Sequence, residues 1–165
     1  MSAAVFAALE AALKADPQFV ADMQALGLGR TAGAVPKVLE GNRRFDQLGQ
    51  EHYPCWLIEP GDSQGASASN DGGDANGLVL TSTQQDWLDE IDISLVWHQQ
   101  DYGRALAQRK GIVPAVVRLL LRNPGLGDCE QIYAVGVLND RSYRHPTHVQ
   151  TLTLRAHTTI DRDPD

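Results

Sequence analysis

The chain has 165 residues, of which 42% are hydrophobic, and a net charge of −7. This size fits one globular domain with its own core, spanning residues 1–165. The 14 basic residues form only short clusters, at Arg43-Arg44 and Arg109-Lys110, so the composition argues against specific nucleic-acid binding. No apolar run approaches the roughly 20 residues that cross a bilayer, so we expect no membrane partner.

Two short helices are predicted in residues 1–27. Ser2 can cap the first helix, whose apolar side chains recur every fourth position: Val5, Leu9 and Leu13. Asp16 and Pro17 supply an N-cap and a first helical residue for the second helix. Gly27 is a suitable residue to end it.

A strand followed by a long polar loop is predicted next. Residues 53–59 have strand composition and are followed by Pro60-Gly61, which typically ends a strand. Residues 61–77 contain no large apolar side chain and are rich in Gly, Ser, Asn and Asp. Such loops are usually functional or flexible. We expect this loop to be disordered in the isolated protein and to order in an assembly. A short strand is also possible at 35–39.

The clearest pattern lies at 87–98, where apolar and polar residues alternate as in a long, half-buried strand. Residues 104–122 form a helical pattern in which Pro114 either kinks the helix or begins its second half. Two more strands are predicted, at 132–138 and within 145–160. Together these predict an α+β fold, with a mostly antiparallel sheet, helices packed on one face and a β-α-β-β core over residues 78–160.

The histidines do not indicate a metal site. His145 and His148 stand three residues apart with Pro146 between them, and residues three apart in a strand point to opposite faces. His157 lies among threonines. We therefore expect a turn and a strand with solvent-facing histidines, and no metal ligand.

Other chemical motifs are also weak. Gly61 to Gly65 match G-x-S-x-G around Ser63, but the segment that follows cannot form the helix that a serine hydrolase needs. Glu90 and Asp92 share one face of a strand, which is typical of a solvated surface rather than a catalytic pair. The two cysteines, Cys55 and Cys129, are expected to be free thiols. We expect no catalytic residues and no cofactor.

Trp87 and Trp97 lie on the apolar side of the long strand. Core packing explains both, and a subunit interface is the alternative, because tryptophan is a frequent interface anchor.

The order of elements resembles the tail terminator proteins of long-tailed bacteriophages. The likeness covers the chain from about residue 53 onward and rests on pattern rather than on a diagnostic motif. It begins with a strand at 56–58 that precedes a long loop and a long amphipathic strand at 87–97. A helix at 112–122, ended by Asn123-Pro124, and two closing strands at 131–138 and 149–160 complete it.

The resemblance implies a structural, non-enzymatic virion protein. Such proteins form a hexameric ring that caps the tail tube, stops its polymerisation and joins it to the head. The implied partners are other copies of the chain, the major tail tube protein and a head-completion or connector protein, with DNA passing through the lumen unbound. The implied location is the virion, and the host cytoplasm during assembly.

Interface positions are expected in the loop and on exposed strand residues: Ser63, Ser67, Asn70, Asp74, Trp87, Trp97, His148 and His157. Two alternatives stay open. One is another head–tail connector or tail-completion protein, and the other is a small hydrolase acting through Ser63.

Overall fold

The computed structural model describes residues 3–29, 37–39, 48–65, 84–140 and 145–161. The helices are α1 (Ala3–Ala15), α2 (Pro17–Ala25) and α3 (Tyr102–Arg122). The strands are β1 (Lys37–Leu39), β2 (Cys55–Gly65), β3 (Gln84–His98), β4 (Gln131–Asp140) and β5 (Thr147–Asp161). No helix in these ranges is long and apolar enough to cross a membrane.

The strands form a sheet in the order β1-β2-β3-β5-β4. Strand β1 pairs with β2 in parallel, and the other neighbouring pairs are antiparallel. The centre of the sheet is the pair β3–β5, in which residues from Gln84 to His98 are matched one to one with residues from Asp161 to Thr147. The predicted α+β fold with a mostly antiparallel sheet is confirmed.

The main core lies between the helices and one face of this sheet. Alternate residues of β3 and β5 point to that face, which follows from the two-residue period of a strand. The buried side chains of this core include Ile91, Ile93 and Leu95 from β3, Leu152 and Leu154 from β5, Leu9 and Leu13 from α1, and Ile112 and Leu119 from α3. We call this the helix face, and the opposite side the open face.

The start of α2 is as the sequence predicts. The Asp16 carboxylate accepts a hydrogen bond from the backbone N–H of Phe19 at 2.8 Å, and Pro17 is the first helical residue. Gly27 adopts a φ of +70°, which favours glycine after a helix. The same carboxylate binds Arg122 at 2.6 Å, so the N-cap also ties α2 to the end of α3.

The sequence predicted that strand β2 ends at Pro60-Gly61, and this prediction is wrong. The strand continues to Gly65, with an irregularity between Pro60 and Ser63, because its backbone goes on pairing with β3 as far as Trp87. Proline is tolerated at such irregularities, so its presence did not end the strand. The rest of the predicted loop, 66–77, lies outside the described residues.

Helix α3 runs without interruption through Pro114. Asp101 caps it by accepting a hydrogen bond from the Arg104 N–H at 2.9 Å, so the helix begins two residues before the predicted residue 104. Pro114 lies on the exposed side. There the carbonyl that loses its helical hydrogen bond faces water, which explains how the helix accommodates the ring.

Candidate functional site

His148 is buried, contrary to the expectation that the histidines face solvent. It lies on the helix face of β5 and is 5% exposed. Its ring centroid is 5.4 Å from that of Trp97, and its Nε2 donates to the carbonyl of Gln99 at 3.0 Å. Arg109 lies 3.4 Å from Nδ1. Burial lowers the pKa of His148, and the charge of Arg109 acts in the same direction.

The Nε2 of His145 donates a hydrogen bond to the carbonyl of Gln100 at 2.9 Å. The His145 ring meets the His148 ring edge-on, with the ring centroids 6.0 Å apart. The two rings therefore approach each other through the turn before β5, although each is engaged with a backbone carbonyl. In the described ranges, no group of three or more His, Cys, Asp or Glu residues could hold a metal ion.

The G-x-S-x-G stretch lies within a strand. The backbone of Gly61 to Gly65 belongs to β2, and Ser63 is paired with Asp89 of β3. A nucleophilic serine of a hydrolase sits instead on a sharp turn between a strand and a helix. The backbone geometry that this chemistry requires is therefore not present at Ser63.

The predicted shared face of Glu90 and Asp92 is confirmed, and both carboxylates have partners on β5. Arg155 donates to Glu90 through Nε at 2.9 Å and through a terminal nitrogen at 2.8 Å. Thr153 donates to Asp92 at 2.6 Å. The Ser94 and Thr151 hydroxyls lie 2.7 Å apart. These contacts form a cross-strand polar ladder along the open face.

A small apolar cluster covers the open face at one side of this ladder. It contains Leu48, Cys55, Leu57, Val96 and Val149, with Tyr53 packed against it. The cluster lies beyond the Ser94–Thr151 end of the ladder, on the same two strands, β3 and β5. A polar surface of this kind can dock onto another protein, but the carboxylates of Glu90 and Asp92 are already hydrogen-bonded within the chain.

Strands β3 and β5 continue past the start of β4 as a two-stranded extension, residues 84–87 and 158–161, which we call the arm, and Gly65 at the end of β2 pairs with Trp87 at its base. Strand β4 begins opposite His157, whereas β5 continues to Asp161 and pairs there with Gln84. Strand β3 has 15 residues, which corresponds to about 50 Å. Helix α3 has 21 residues, which corresponds to about 31 Å, so strand β3 is the longer of these two elements. Trp87, at the base of the arm, is partly exposed.

Strand β4 forms an outer edge of the sheet and exposes apolar side chains. The exposed fractions are 38% for Tyr133, 43% for Val135, 46% for Val137 and 66% for Leu138. The residue pattern predicted a strand at this segment but not its exposure. Its consecutive apolar residues, in place of strict alternation, are compatible with a fully buried strand, so the pattern alone did not reveal the exposure.

The expected interface residues fall into three groups. Ser63, Trp87 and His157 lie in or beside the arm, and Nδ1 of His157 is 3.6 Å from a carboxylate oxygen of Glu130. Trp97 and His148 are buried together near the opposite end of the sheet. The loop positions Ser67, Asn70 and Asp74 lie outside the described residues.

Trp97 is explained by core packing. It is 1% exposed, and its indole N–H donates to the side-chain oxygen of Gln108 at 2.9 Å. Both cysteines are buried thiols.

No protein-family model matches this chain, and no curated protein is similar to it. Among solved structures, it aligns with a chain from the virion of a native gene transfer agent particle, at 19% identity and a TM-score of 0.48. The alignment covers 96% of this chain and 100% of that chain. A likeness at this level indicates neither a shared family nor a shared function.

Proposed function

We propose that this chain is a structural protein of a virion, and more specifically a tail terminator that closes the tail tube as a hexameric ring. The observation that carries the proposal is the one-sided sheet. Helices cover one face of the five strands, while the polar ladder, the arm and the apolar edge of β4 stand at the surface. These are surfaces for docking, and they agree with the order of elements that resembles the terminator family.

A terminator must match the end of a growing polymer on one side and present no further growth site on the other. The arm and the polar ladder are different in chemistry from the apolar edge of β4. One protomer can therefore contact a tube subunit, a neighbouring protomer and a head-completion protein through separate surfaces. We assign the arm, with Trp87 at its base, to the contact with the major tail tube protein.

The net charge of −7 fits a ring through which DNA passes. Carboxylates repel phosphate, so an acidic lumen lets DNA move through without retaining it. The proposal places the protein in the virion, after assembly in the host cytoplasm.

The test is deletion of the gene from the particle that encodes it, followed by electron microscopy of the lysate. We expect tubes of uncontrolled length and heads without tails, and restoration of normal tails by the wild-type gene in trans. Tails of normal length that fail to join heads would contradict the terminator role and indicate a connector. Complete, infectious particles would contradict a structural role altogether.

A matched control is the Ser63→Ala variant supplied in trans. Because Ser63 lies in a paired strand, we expect it to restore tail length as well as the wild type does. A loss of tail-length control with this variant, together with a loss of esterase activity, would favour the hydrolase alternative.

A further inference from the structure

We propose that His148 closes an acid-sensitive clasp at the end of the sheet where α3 begins: its neutral ring holds the clasp together, and a proton on its Nδ1 opens it. The clasp joins two segments that are distant in the sequence, the connection from β3 to α3 at 99–101 and the turn with the start of β5 at 145–148. This inference concerns the fold itself and does not depend on the proposed role in a virion.

Three hydrogen bonds hold the two segments of the clasp together. The N–H of Gln99 donates to the carbonyl of Pro146 at 2.9 Å. The Nε2 of His148 donates to the carbonyl of Gln99 at 3.0 Å. The Nε2 of His145 donates to the carbonyl of Gln100 at 2.9 Å. Two of the three bonds come from imidazole rings, so the contact between the segments depends on where these rings are held.

The contacts of His148 require its neutral form with the proton on Nε2. This nitrogen must carry a proton, because its partner is a carbonyl oxygen. Nδ1 lies 3.4 Å from a terminal nitrogen of Arg109, and a guanidinium only donates hydrogen bonds. Nδ1 therefore accepts and carries no proton. In the imidazolium form both ring nitrogens carry protons, so the Nδ1–H would point at a cation that offers no acceptor.

Burial also disfavours a positive charge on this ring. His148 is buried on the helix face, and its ring packs against the indole of Trp97. An imidazolium in such a place loses the water that would solvate it. Burial is therefore the main cause of the lowered pKa of His148.

The charged groups that act on His148 come from three elements. Arg109 belongs to α3, His145 to the turn before β5 and His98 to the end of β3, and the positive charge of each lowers the pKa of His148 further. Protonation of His148 therefore adds a positive charge to a cluster that is already basic.

Two acidic residues lie on the elements beside this cluster. The Asp101 carboxylate, at the start of α3, accepts from the Arg104 N–H and caps the helix. On β4, the backbone of Asp140 pairs with Val149, which belongs to the apolar cluster of the open face, whereas His148 is on the helix face. The described groups that act on His148 are therefore the basic ones.

Acid weakens the clasp because its open form takes up a proton more readily than its closed form. In the open form the ring is solvated and titrates near the ordinary histidine pKa of about 6.5. In the closed form the pKa of His148 is lower. The clasp therefore keeps its full stability above about pH 6.5 and loses stability as the pH falls from there towards the pKa of the closed form.

A change at the clasp reaches a cavity of about 220 Å³. Trp97 and Gln99 line this cavity together with Tyr53, Gln108 and residues near them. His148 packs against Trp97 and binds the carbonyl of Gln99. Release of the His148 ring therefore removes a support from two of the cavity walls.

Nuclear magnetic resonance of the full chain between about pH 7.5 and pH 5.5 tests the proposal. The ring protons of His148 report its titration, and the exchange of the Gln99 amide, relative to an unstructured chain at the same pH, reports opening. We expect a His148 midpoint below about 6.5. We expect the Gln99 protection to fall several-fold, by up to about tenfold at one pH unit below 6.5. The Ile93 amide, at the centre of the sheet, should keep its protection.

Three variants separate the titration of His148 from a purely structural role. His148→Gln cannot titrate, but its amide can still donate to the Gln99 carbonyl and accept from Arg109, so we expect the Gln99 protection to stay constant across this pH range. Arg109→Gln removes a neighbouring charge, so we expect a higher His148 midpoint and a smaller loss of protection in acid. His157→Gln, at the arm end of β5, is the matched control and should respond to pH as the wild type does.

A constant Gln99 protection in the wild type, or an equal fall in His148→Gln, would overturn the clasp. A wild-type His148 midpoint at or above about 6.5 would overturn it as well. If His148→Gln does not fold, the wild-type titration and the Arg109→Gln comparison decide, and an unchanged midpoint in Arg109→Gln counts against the proposal.

Discussion

Asp16 combines two local roles that stabilise the helical layer. Its carboxylate caps α2 through the N–H of Phe19 and binds the guanidinium of Arg122, with Asn123 as a further partner. The hydrogen bond from Arg122 is the main reason that the pKa of Asp16 is lowered. A carboxylate with a lowered pKa stabilises the folded state above its unfolded pKa and loses this contribution as pH falls through the folded pKa.

We expect Asp16→Ala to reduce the free energy of unfolding at pH 7 by about 1–2 kcal/mol, because a cap and a partly buried ion pair are lost. Asp16→Asn keeps an acceptor for the cap and should cost less than about 1 kcal/mol. Urea unfolding at pH 7 and near pH 3 measures both, and the effect of each substitution should shrink at the lower pH.

The matched control is Asp22→Asn, which removes the charge that pairs with Arg118 at 2.9 Å and keeps an oxygen that can accept from Gln18. If Asp16→Ala cost no more than this control, Asp16 would not act as a cap that contributes to stability.

His148 illustrates what a single residue's sequence context does not contain. Thr147 and Gln150 beside it are polar, and the turn before it contains a proline. Its burial depends on Trp97 from β3 and Arg109 from α3, which reach it only in the folded chain. Caps such as Asp16 depend on residues three positions away, so they could be predicted, whereas this environment could not.

At the scale of elements, the local residue pattern identified every helix and strand that the structure describes in 84–140. The positions at which the strands begin and end depend on hydrogen bonding to neighbouring strands. Strand β2 passes Pro60 because β3 continues alongside it, and β3 begins at Gln84 rather than Trp87 because β5 extends to Asp161. Helix α3 contains Pro114 in its interior because its buried side chains on both sides of the proline pack into one core.

We expect Pro114→Ala to raise the free energy of unfolding by about 1–2 kcal/mol. Alanine restores the missing helical hydrogen bond, which outweighs the greater freedom of the unfolded chain. Chemical denaturation measures the change. Lys110→Ala, also exposed in α3, serves as the control and should stay within about 0.5 kcal/mol of the wild type. A lower stability of Pro114→Ala would mean that the fixed φ of proline is needed at this point.

At the scale of the whole molecule, the sheet is covered by helices on one side, and the proposed docking surfaces lie on the other side and at its edges. The main core joins all three helices to β1–β5, so substitutions at the arm or at the β4 edge can alter assembly without removing that core. The polar residues 66–77, which join β2 to the segment leading into β3, are proposed to contribute contacts in the assembly.

We expect deletion of residues 66–77 to change the free energy of unfolding by less than about 1 kcal/mol, because loop length affects closure entropy only weakly. We expect the same deletion to reduce tail-length control in the gene-complementation assay. A Gly/Ser replacement of equal length separates the chemistry of the segment from its length. Strong hydrogen-exchange protection of these residues in the isolated protein would contradict the expectation that they order only on assembly.

By itself, the sequence determined the fold class, the α2 cap and the alternation of apolar and polar residues along β3. These features follow from short-range hydrogen bonding and from the periods of helix and strand. Only the tertiary structure decided that His148 is buried, that Ser63 lies in a paired strand and that β4 is an exposed edge. Each of these depends on which distant segments become neighbours, because the same apolar run is buried in the middle of a sheet and exposed at its edge.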